Sequence, residues 1–205
     1  MKDSREQVSI WLKRKLDSHY LVLYIDATFV HTRRDKSVSK EGYYTILGIK
    51  EDGSREVLSI VNHPTEGARL WQMELESLKE RGVESVGLVA SDGLTSIENA
   101  IAKSFPNAQH QLCVVHVKRS ILSVFPRTKR LEIGKELLEV FAIETKKVTP
   151  VEAFENLSNF VMKYQKSYPS LKSFSNKRNI AYFTYLNYPV LIQRMIYSTN
   201  WIERL

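Results

Sequence analysis

A single cysteine stands in 205 residues, so no internal disulfide can form, and a reducing cytoplasm suits such a chain. No run is long enough to cross a bilayer: the most apolar stretch, Tyr20 to Val30, is too short for a span and carries an acid. The opening MKDSREQVSIWLKRKL is polar and charged and does not read as a secretory signal. No internal repeat, low-complexity tract or flexible linker is visible. Cys113 is followed by His116, but no second pair of ligands follows, which argues against a four-ligand zinc site. The other histidines, His19, His31, His63 and His110, lack ligand spacing and read as ordinary residues. What is present is 43% apolar residues, enough for a core and too much for a disordered chain.

Positive charge is unevenly spread. Between Val117 and Arg194 there are 14 Lys and Arg against 6 Asp and Glu, whereas the rest carries 16 against 17. A basic block beside a near-neutral one suggests a polyanionic partner, most often nucleic acid; a solvated lysine-rich helical surface has the same composition.

The chain reads in two regimes. Up to about residue 116, strand and helix signals alternate. Tyr20 to Val30 is nearly continuous in apolar and β-branched residues and predicts a central, doubly covered strand. Strands are expected at Tyr43–Lys50 and Arg55–Asn62, joined by the Asp52-Gly53 turn, then at Ser85–Ala90 and Ala108–Val115. Helices are expected at Glu66–Arg81, stopped by Gly82, and from Thr95, with Glu98 completing a capping box, through Lys103. After His116 the reading is helical. Leu131, Gly134, Leu138 and Phe141 form one stripe; Phe154, Leu157, Val161 and Tyr164 form another, behind a start at Thr149-Pro150-Val151-Glu152.

Three acids stand out. Asp26 lies inside LVLYIDATFV, where a carboxylate costs several kcal/mol unless compensated. A buried basic partner, a strand end or a metal would each account for it. Asp92 follows the strand VGLVA and precedes Gly93. Alone it is a loop acid, yet open α/β sheets place their sites just beyond the carboxyl ends of strands. Were the first and fourth strands neighbours, Asp26 and Asp92 would meet there, and two carboxylates so placed need a proton or a cation between them. Glu203, in YSTNWIERL, follows Asn200 by three, which is also a plain helix-start pattern.

The blocks YIDATFVHTRR, LGIKEDGSREVL, EGARLWQMELESLKERGV, LVASDGLTSIENAI, FPNAQHQLCVVHVKRSIL and YSTNWIERL follow one another in this order. Together they resemble the Mutator-type transposases of bacterial insertion sequences, a DDE transposase family. The resemblance runs from about Trp11 to Leu205. It implies an α/β fold, an RNase H-like mixed sheet of five strands with an all-helical insertion. Residues 1–19 would be a helical lead-in, 20–116 the core, 117–194 the insertion, and 195–205 the start of the terminal catalytic helix.

Matched residue by residue, the family's catalytic, metal-binding acids fall on Asp26 in IDAT, Asp92 in SDG and Glu203 in STNWIE; Cys113 and His116 fall on its Cys-x-x-His signature. Trp201 stands where the family usually has a small residue. The resemblance further implies Mg²⁺ or Mn²⁺ as cofactor, DNA (element ends and target) as partner, a homo-oligomer on DNA, and a cytoplasmic, nucleoid-associated protein without a membrane role. The family has a DNA-recognition region ahead of this core and further residues after it, so a catalytic-core fragment is expected. Arg33, Arg34 and Lys36 form a short basic turn that suits either phosphate contact or plain solvation, and Lys118 and Arg119 are further candidates for contact with nucleic acid.

The chemistry fits those residue types. Cutting and rejoining phosphodiesters uses two Mg²⁺ ions about 3.5–4 Å apart to activate the nucleophile and stabilise the leaving oxygen. Mg²⁺ prefers hard oxygen ligands, so three carboxylates and a phosphate suffice. Two rivals stand beside this reading: a hydrolytic nuclease on the same fold, and a truncated, non-catalytic DNA-binding remnant.

Overall fold

The structure, a computed structural model, describes residues 2–34, 37–62, 68–93, 95–145 and 148–202. Two compact units emerge. One takes the chain up to Gln109 and resumes at Ile202; the other is His110–Trp201.

The first unit opens with α1 (Lys2–Lys13), followed by β1 (His19–Arg34), β2 (Ser37–Ile49), β3 (Arg55–Asn62), α2 (Ala68–Glu80), β4 (Ser85–Ser91) and α3 (Thr95–Ser104). With β5 (Gln109–Leu112), the strands form a mixed sheet of order β3-β2-β1-β4-β5. β1 pairs antiparallel with β2 and parallel with β4, and β2 pairs antiparallel with β3. Three meandering strands followed by a parallel crossover, with helices between, is the RNase H-like arrangement expected from the sequence.

One sheet face carries Leu23, Ile25, Ile46 and Leu58, which pack with Trp71, Leu75 and Leu78 of α2 and Ile97, Ala100 and Ile101 of α3. Full burial of each such aliphatic side chain stabilises by about 1.5–3 kcal/mol. Tyr20 lies flat over Gly48, where an added Cβ would meet its ring carbons at 2.5 Å, so only glycine admits the ring. The phenol donates to Glu56 at 3.0 Å, and Glu56 also takes Arg14 at 2.8 Å and Lys50 at 3.1 Å. Arg14 donates in addition to the Trp11 and Val57 carbonyls, so this cluster ties the end of α1 to β3.

Both expected turn glycines have positive φ: Gly53 at 79° in the β2–β3 turn and Gly82 at 114° behind α2. α3 starts at Thr95 as predicted, although the side chain of Thr95 lies outside the described set, as do Lys36 and His63. Three strand expectations need correction. β1 and β2 run well past Val30 and Tyr43, pairing as far as Arg34↔Ser37, because the two strands continue as a ribbon beyond their other neighbours. The supposed basic turn at Arg33 and Arg34 is therefore strand. Double coverage of β1 ends at Asp26: Phe29 and Val30 are 53% and 47% exposed. β5 stops at Leu112, since Val114 and Val115 belong to a helix.

The second unit is helical: α4 (Val114–Val124), a 3-10 turn at Arg127–Lys129, α5 (Arg130–Val140), α6 (Pro150–Tyr164), 3-10 segments at Pro169–Ser175 and Lys177–Asn187, and α7 (Val190–Ile196). Val114, Val117 and Ile121 are buried at helical spacing, and that pattern overrides the β propensity of the Val-Val pair. α6 starts where expected. Thr149 caps it, accepts the Glu152 N–H at 3.2 Å, and is answered by the Glu152 carboxylate at 2.8 Å, with Pro150 in the first turn. Leu157 and Val161 of its stripe are buried, with Phe160 and Ala153 beside them.

The stripe expected on α5 is corrected. Leu131 and Leu138 are 76% and 62% exposed, while Ile133, Leu137 and Phe141, spaced by four, are buried. Two stripes share Phe141 in this sequence, and packing chose the one with the β-branched Ile133. Aromatic pairs fill the unit, among them Phe141 stacked on Phe183 at 5.1 Å and Phe125 edge-on to Tyr164 at 5.3 Å.

Candidate functional site

The run LVLYIDATFV forms the central strand because its residues are needed on both faces: Leu23, Tyr24 and Ile25 are all buried. β4 runs parallel beside it, with Tyr24 opposite Ala90 and Ile25 opposite Ser91. There β4 ends. The next residues are Asp26 on β1 and Asp92, the first residue past β4. On its other side Asp26 pairs with Thr45 of β2. The last β1–β4 pair therefore immediately precedes both acids, at the carboxyl end of β4.

Asp26 is 7% exposed, and one carboxylate oxygen accepts the Ala27 N–H at 2.8 Å. Asp92 is half-buried; the fully buried Ser91 donates through its hydroxyl to the Asp92 carbonyl at 2.9 Å. Asp26 is the last buried residue before β1 emerges from cover: Ala27 is half-buried and exposure begins at Thr28. The sequence suggested an acid in mid-strand. It is a buried acid at a local edge, where the parallel neighbour stops.

Glu203 lies outside the described residues. Among the described residues no group of three or more His, Cys, Asp or Glu side chains is gathered to hold a metal ion. Of the expected phosphate contacts, Arg33 is exposed near the end of β1, and the side chain of Arg34 lies outside the described set. Arg119 is exposed on α4, whereas Lys118 is half-buried and burial pulls its ammonium below the usual value.

The Cys-x-x-His signature opens α4. Cys113 is the N-cap residue and is buried; His116 lies one turn on. Burial pushes the Cys113 thiol up, but hydrogen bonds from His116 and Thr199 outweigh it and leave the thiol below its usual value. His110 is held far the other way for an imidazole: burial, then the nearby Arg178 charge, lowers it to about 4, so it is neutral at pH 7.

Sequence reasoning missed three buried amides that organise the second unit. Gln111 donates to the Leu112 and Tyr182 carbonyls at 2.6 and 2.9 Å and accepts the Tyr185 N–H at 2.6 Å. Gln193 accepts the Glu144 N–H and donates to Thr145 and Tyr188. Asn179 donates to Ser173 and Phe174, both at 3.0 Å. Nothing in their sequence neighbourhood marks them, because each partner is a backbone group fixed only by the fold.

The sequence pattern described as transposase, Mutator family, matches residues 1–205, and the chain belongs to that family. It is 35% identical over 199 residues to the transposase for insertion sequence element IS1201 of Lactobacillus helveticus, covering 96% of this chain and 52% of that protein. It is 33% identical over 205 residues to the transposase for insertion sequence element IS905 of Lactococcus lactis subsp. lactis, covering 100% of this chain and 51% of that one. The chain therefore spans about half the length of the curated relatives it matches. Among solved structures, the Drosophila P element transposase strand transfer complex aligns with a TM-score of 0.32 and 12% identity, over 58% of this chain and 36% of that chain. Among the described residues, no helix is long and apolar enough to cross a membrane.

Proposed function

We propose that this chain carries the catalytic core of a DDE transposase that cuts and joins DNA at the ends of an insertion sequence. The observation that supports this reading is the parallel register of β1 and β4, whose last pair, Ile25↔Ser91, leaves Asp26 and Asp92 as the next residue on each segment. Two carboxylates brought close together repel unless a proton or cation joins them. Their oxygens are hard donors, which fit Mg²⁺ or Mn²⁺ and disfavour softer metals. Glu203 is the third acid of this reading.

In this arrangement Asp26 and Asp92 would hold the cations on the open side of β1, and Glu203 would complete the ligand set. Bound there, a pair of divalent ions lowers the pKa of the attacking water or hydroxyl and neutralises the leaving oxygen. The Ala27 N–H holds one oxygen of Asp26 at 2.8 Å and so helps to fix the carboxylate's orientation. No covalent bond between protein and DNA is needed. The second unit, with its 14 basic against 6 acidic residues, would bind the phosphate backbone without reading sequence. Exposed Arg127, Lys129 and Arg130 at the start of α5, Arg119, and Arg33 on the β1–β2 ribbon are the groups proposed for this. Assembly as a homo-oligomer on DNA, in a cytoplasmic, nucleoid-bound setting, belongs to the same proposal.

The test is a chimera in which this segment replaces the matching segment of the IS1201 transposase, assayed on that element's ends with Mg²⁺. Cleavage and strand joining are expected. Asp26→Asn, Asp92→Asn and Glu203→Gln should each reduce both by about 10²-fold or more, since each removes a ligand of the reacting centre. Cleavage without joining would favour the nuclease. Activity retained by Asp26→Asn or Asp92→Asn would defeat the reading.

A further inference from the structure

Cys113 is fully buried, and the proposed metal chemistry makes no use of it. Its sulfur nevertheless accepts two hydrogen bonds from one distant residue: the N–H and the hydroxyl of Thr199, each at 3.5 Å. One residue on, the Val114 N–H, one of the donors that a helix leaves unmatched in its first turn, is taken by the Tyr197 carbonyl at 3.1 Å. His116 stands one turn further along α4, on the same side of the helix. The first turn of α4 therefore grips the segment Tyr197–Thr199 at two successive positions. Thr199 is wholly buried and Ser198 nearly so. Past them, the Trp201 indole N–H donates to the Met195 carbonyl at 2.9 Å and holds the next turn against the end of α7.

Thr199 stands four residues ahead of Glu203. A carboxylate can complete a metal site only if the backbone that carries it is already in place; a ligand left free loses affinity through the cost of ordering it. We infer that Cys113 and Thr199, with the Val114–Tyr197 backbone bond beside them, form a positioning lock that fixes the segment leading to Glu203, the third acid of the proposed metal site. The inference rests on the catalytic reading of Glu203 given above. It gives the buried cysteine of the signature a use. A large, polarisable atom accepts two donors at long range from one residue, and an aliphatic side chain of equal size would remove both of these contacts.

The experiment uses the 205-residue chain, with Mn²⁺ as the probe. Hydrogen exchange over residues 197–202 and Mn²⁺ affinity by electron paramagnetic resonance are measured for Thr199→Val, Thr199→Ser, Cys113→Ala, Cys113→Ser, Glu203→Gln and Asp26→Asn. Thr199→Val keeps the volume and removes the hydroxyl donor; should Cys113→Ala fail to fold, Thr199→Val decides alone. The lock predicts that Thr199→Val and Cys113→Ala speed exchange over 197–202 by about tenfold and weaken Mn²⁺ as much as Glu203→Gln does. Thr199→Ser and Cys113→Ser, which keep the hydrogen-bonding groups, should restore both. Faster exchange with unchanged Mn²⁺ affinity would overturn the positioning role, and unchanged exchange would overturn the lock itself. Were Asp26→Asn to leave Mn²⁺ affinity unaltered, the metal-site reading would fall separately, and the exchange data would still decide whether the lock exists.

Discussion

Ile25 and Gln111 are both fully buried, each within its own unit, and they are held for opposite reasons. Ile25 contributes apolar surface to a sheet-and-helix core whose members are almost all aliphatic or aromatic. Gln111 contributes hydrogen bonds: two carbonyls and one N–H of the chain around it depend on its amide. The same contrast runs through both units. Strands satisfy their own backbone in ladders, so the core between sheet and helices in the first unit is filled mainly by apolar side chains. The second unit spends Pro169–Ser175 and Lys177–Asn187 in 3-10 turns, whose poorer geometry leaves backbone groups to be met by Gln111, Gln193 and Asn179. A short-range helix pattern can thus be assembled in several ways, and buried amides select one of them.

Substitutions at these positions would test the contrast. Ile25→Ala should cost about 2–5 kcal/mol, through lost transfer energy and a cavity in the rigid sheet. Gln111→Met conserves volume and would be nearly neutral in an apolar core. Here it should cost about 2–4 kcal/mol, because the Tyr182 carbonyl and Tyr185 N–H lose their partner inside the protein. Thermal or urea unfolding measures both, and a neutral Gln111→Met would erase the distinction between the units.

A smaller effect separates the units by pH. Burial alone would raise the Glu56 carboxyl, but Arg14, Lys50 and Tyr20 hold it below its ordinary value of 4.5. A carboxylate whose pKa is lower in the folded chain stabilises above its unfolded value, and that stability is lost as pH falls through the folded value. Glu56→Gln should therefore destabilise the chain by about 1–3 kcal/mol at pH 7, as expected for charge-assisted hydrogen bonds. The gap to the parent should close as pH falls below 4.5 through the lowered folded value. A gap that persists unchanged in acid would mean that Glu56 acts by packing alone.

The smallest effect checks the corrected face of α5. Leu138→Lys should change stability by no more than about 0.5 kcal/mol, whereas Leu137, one residue earlier, is wholly buried and tolerates no such change. A large loss at Leu138 would show that its exposure is covered by a contact the isolated chain does not make.

Much of the first unit was legible because its signals are local and agree with one another: the apolar run of β1, the Asp52-Gly53 turn, the Gly82 stop. The pairing of β1 with β4 that brings the chain to Asp26 and Asp92 was legible as well, since one acid sat inside a strand and the other just past one. The reach of the β1–β2 ribbon was not, because its polar residues pair only with each other and carry no core pattern. The face of α5 was ambiguous, since two stripes share Phe141. The Val-Val pair after Cys113 favoured a strand until Tyr197 supplied the partner that a helix start requires. The buried amides and the Cys113–Thr199 contact depend on residues far apart in the chain, and composition or spacing could not disclose them.

The central claim is that Asp26 and Asp92, each one residue past the last β1–β4 pair, create a divalent-metal site. Its most direct test is the Mn²⁺ affinity of the parent chain against Asp26→Asn and Asp92→Asn, with circular dichroism showing the fold intact. Each variant is predicted to weaken binding by at least about tenfold, and the double variant to abolish it. Equal Mn²⁺ binding by the parent and both single variants would contradict the account.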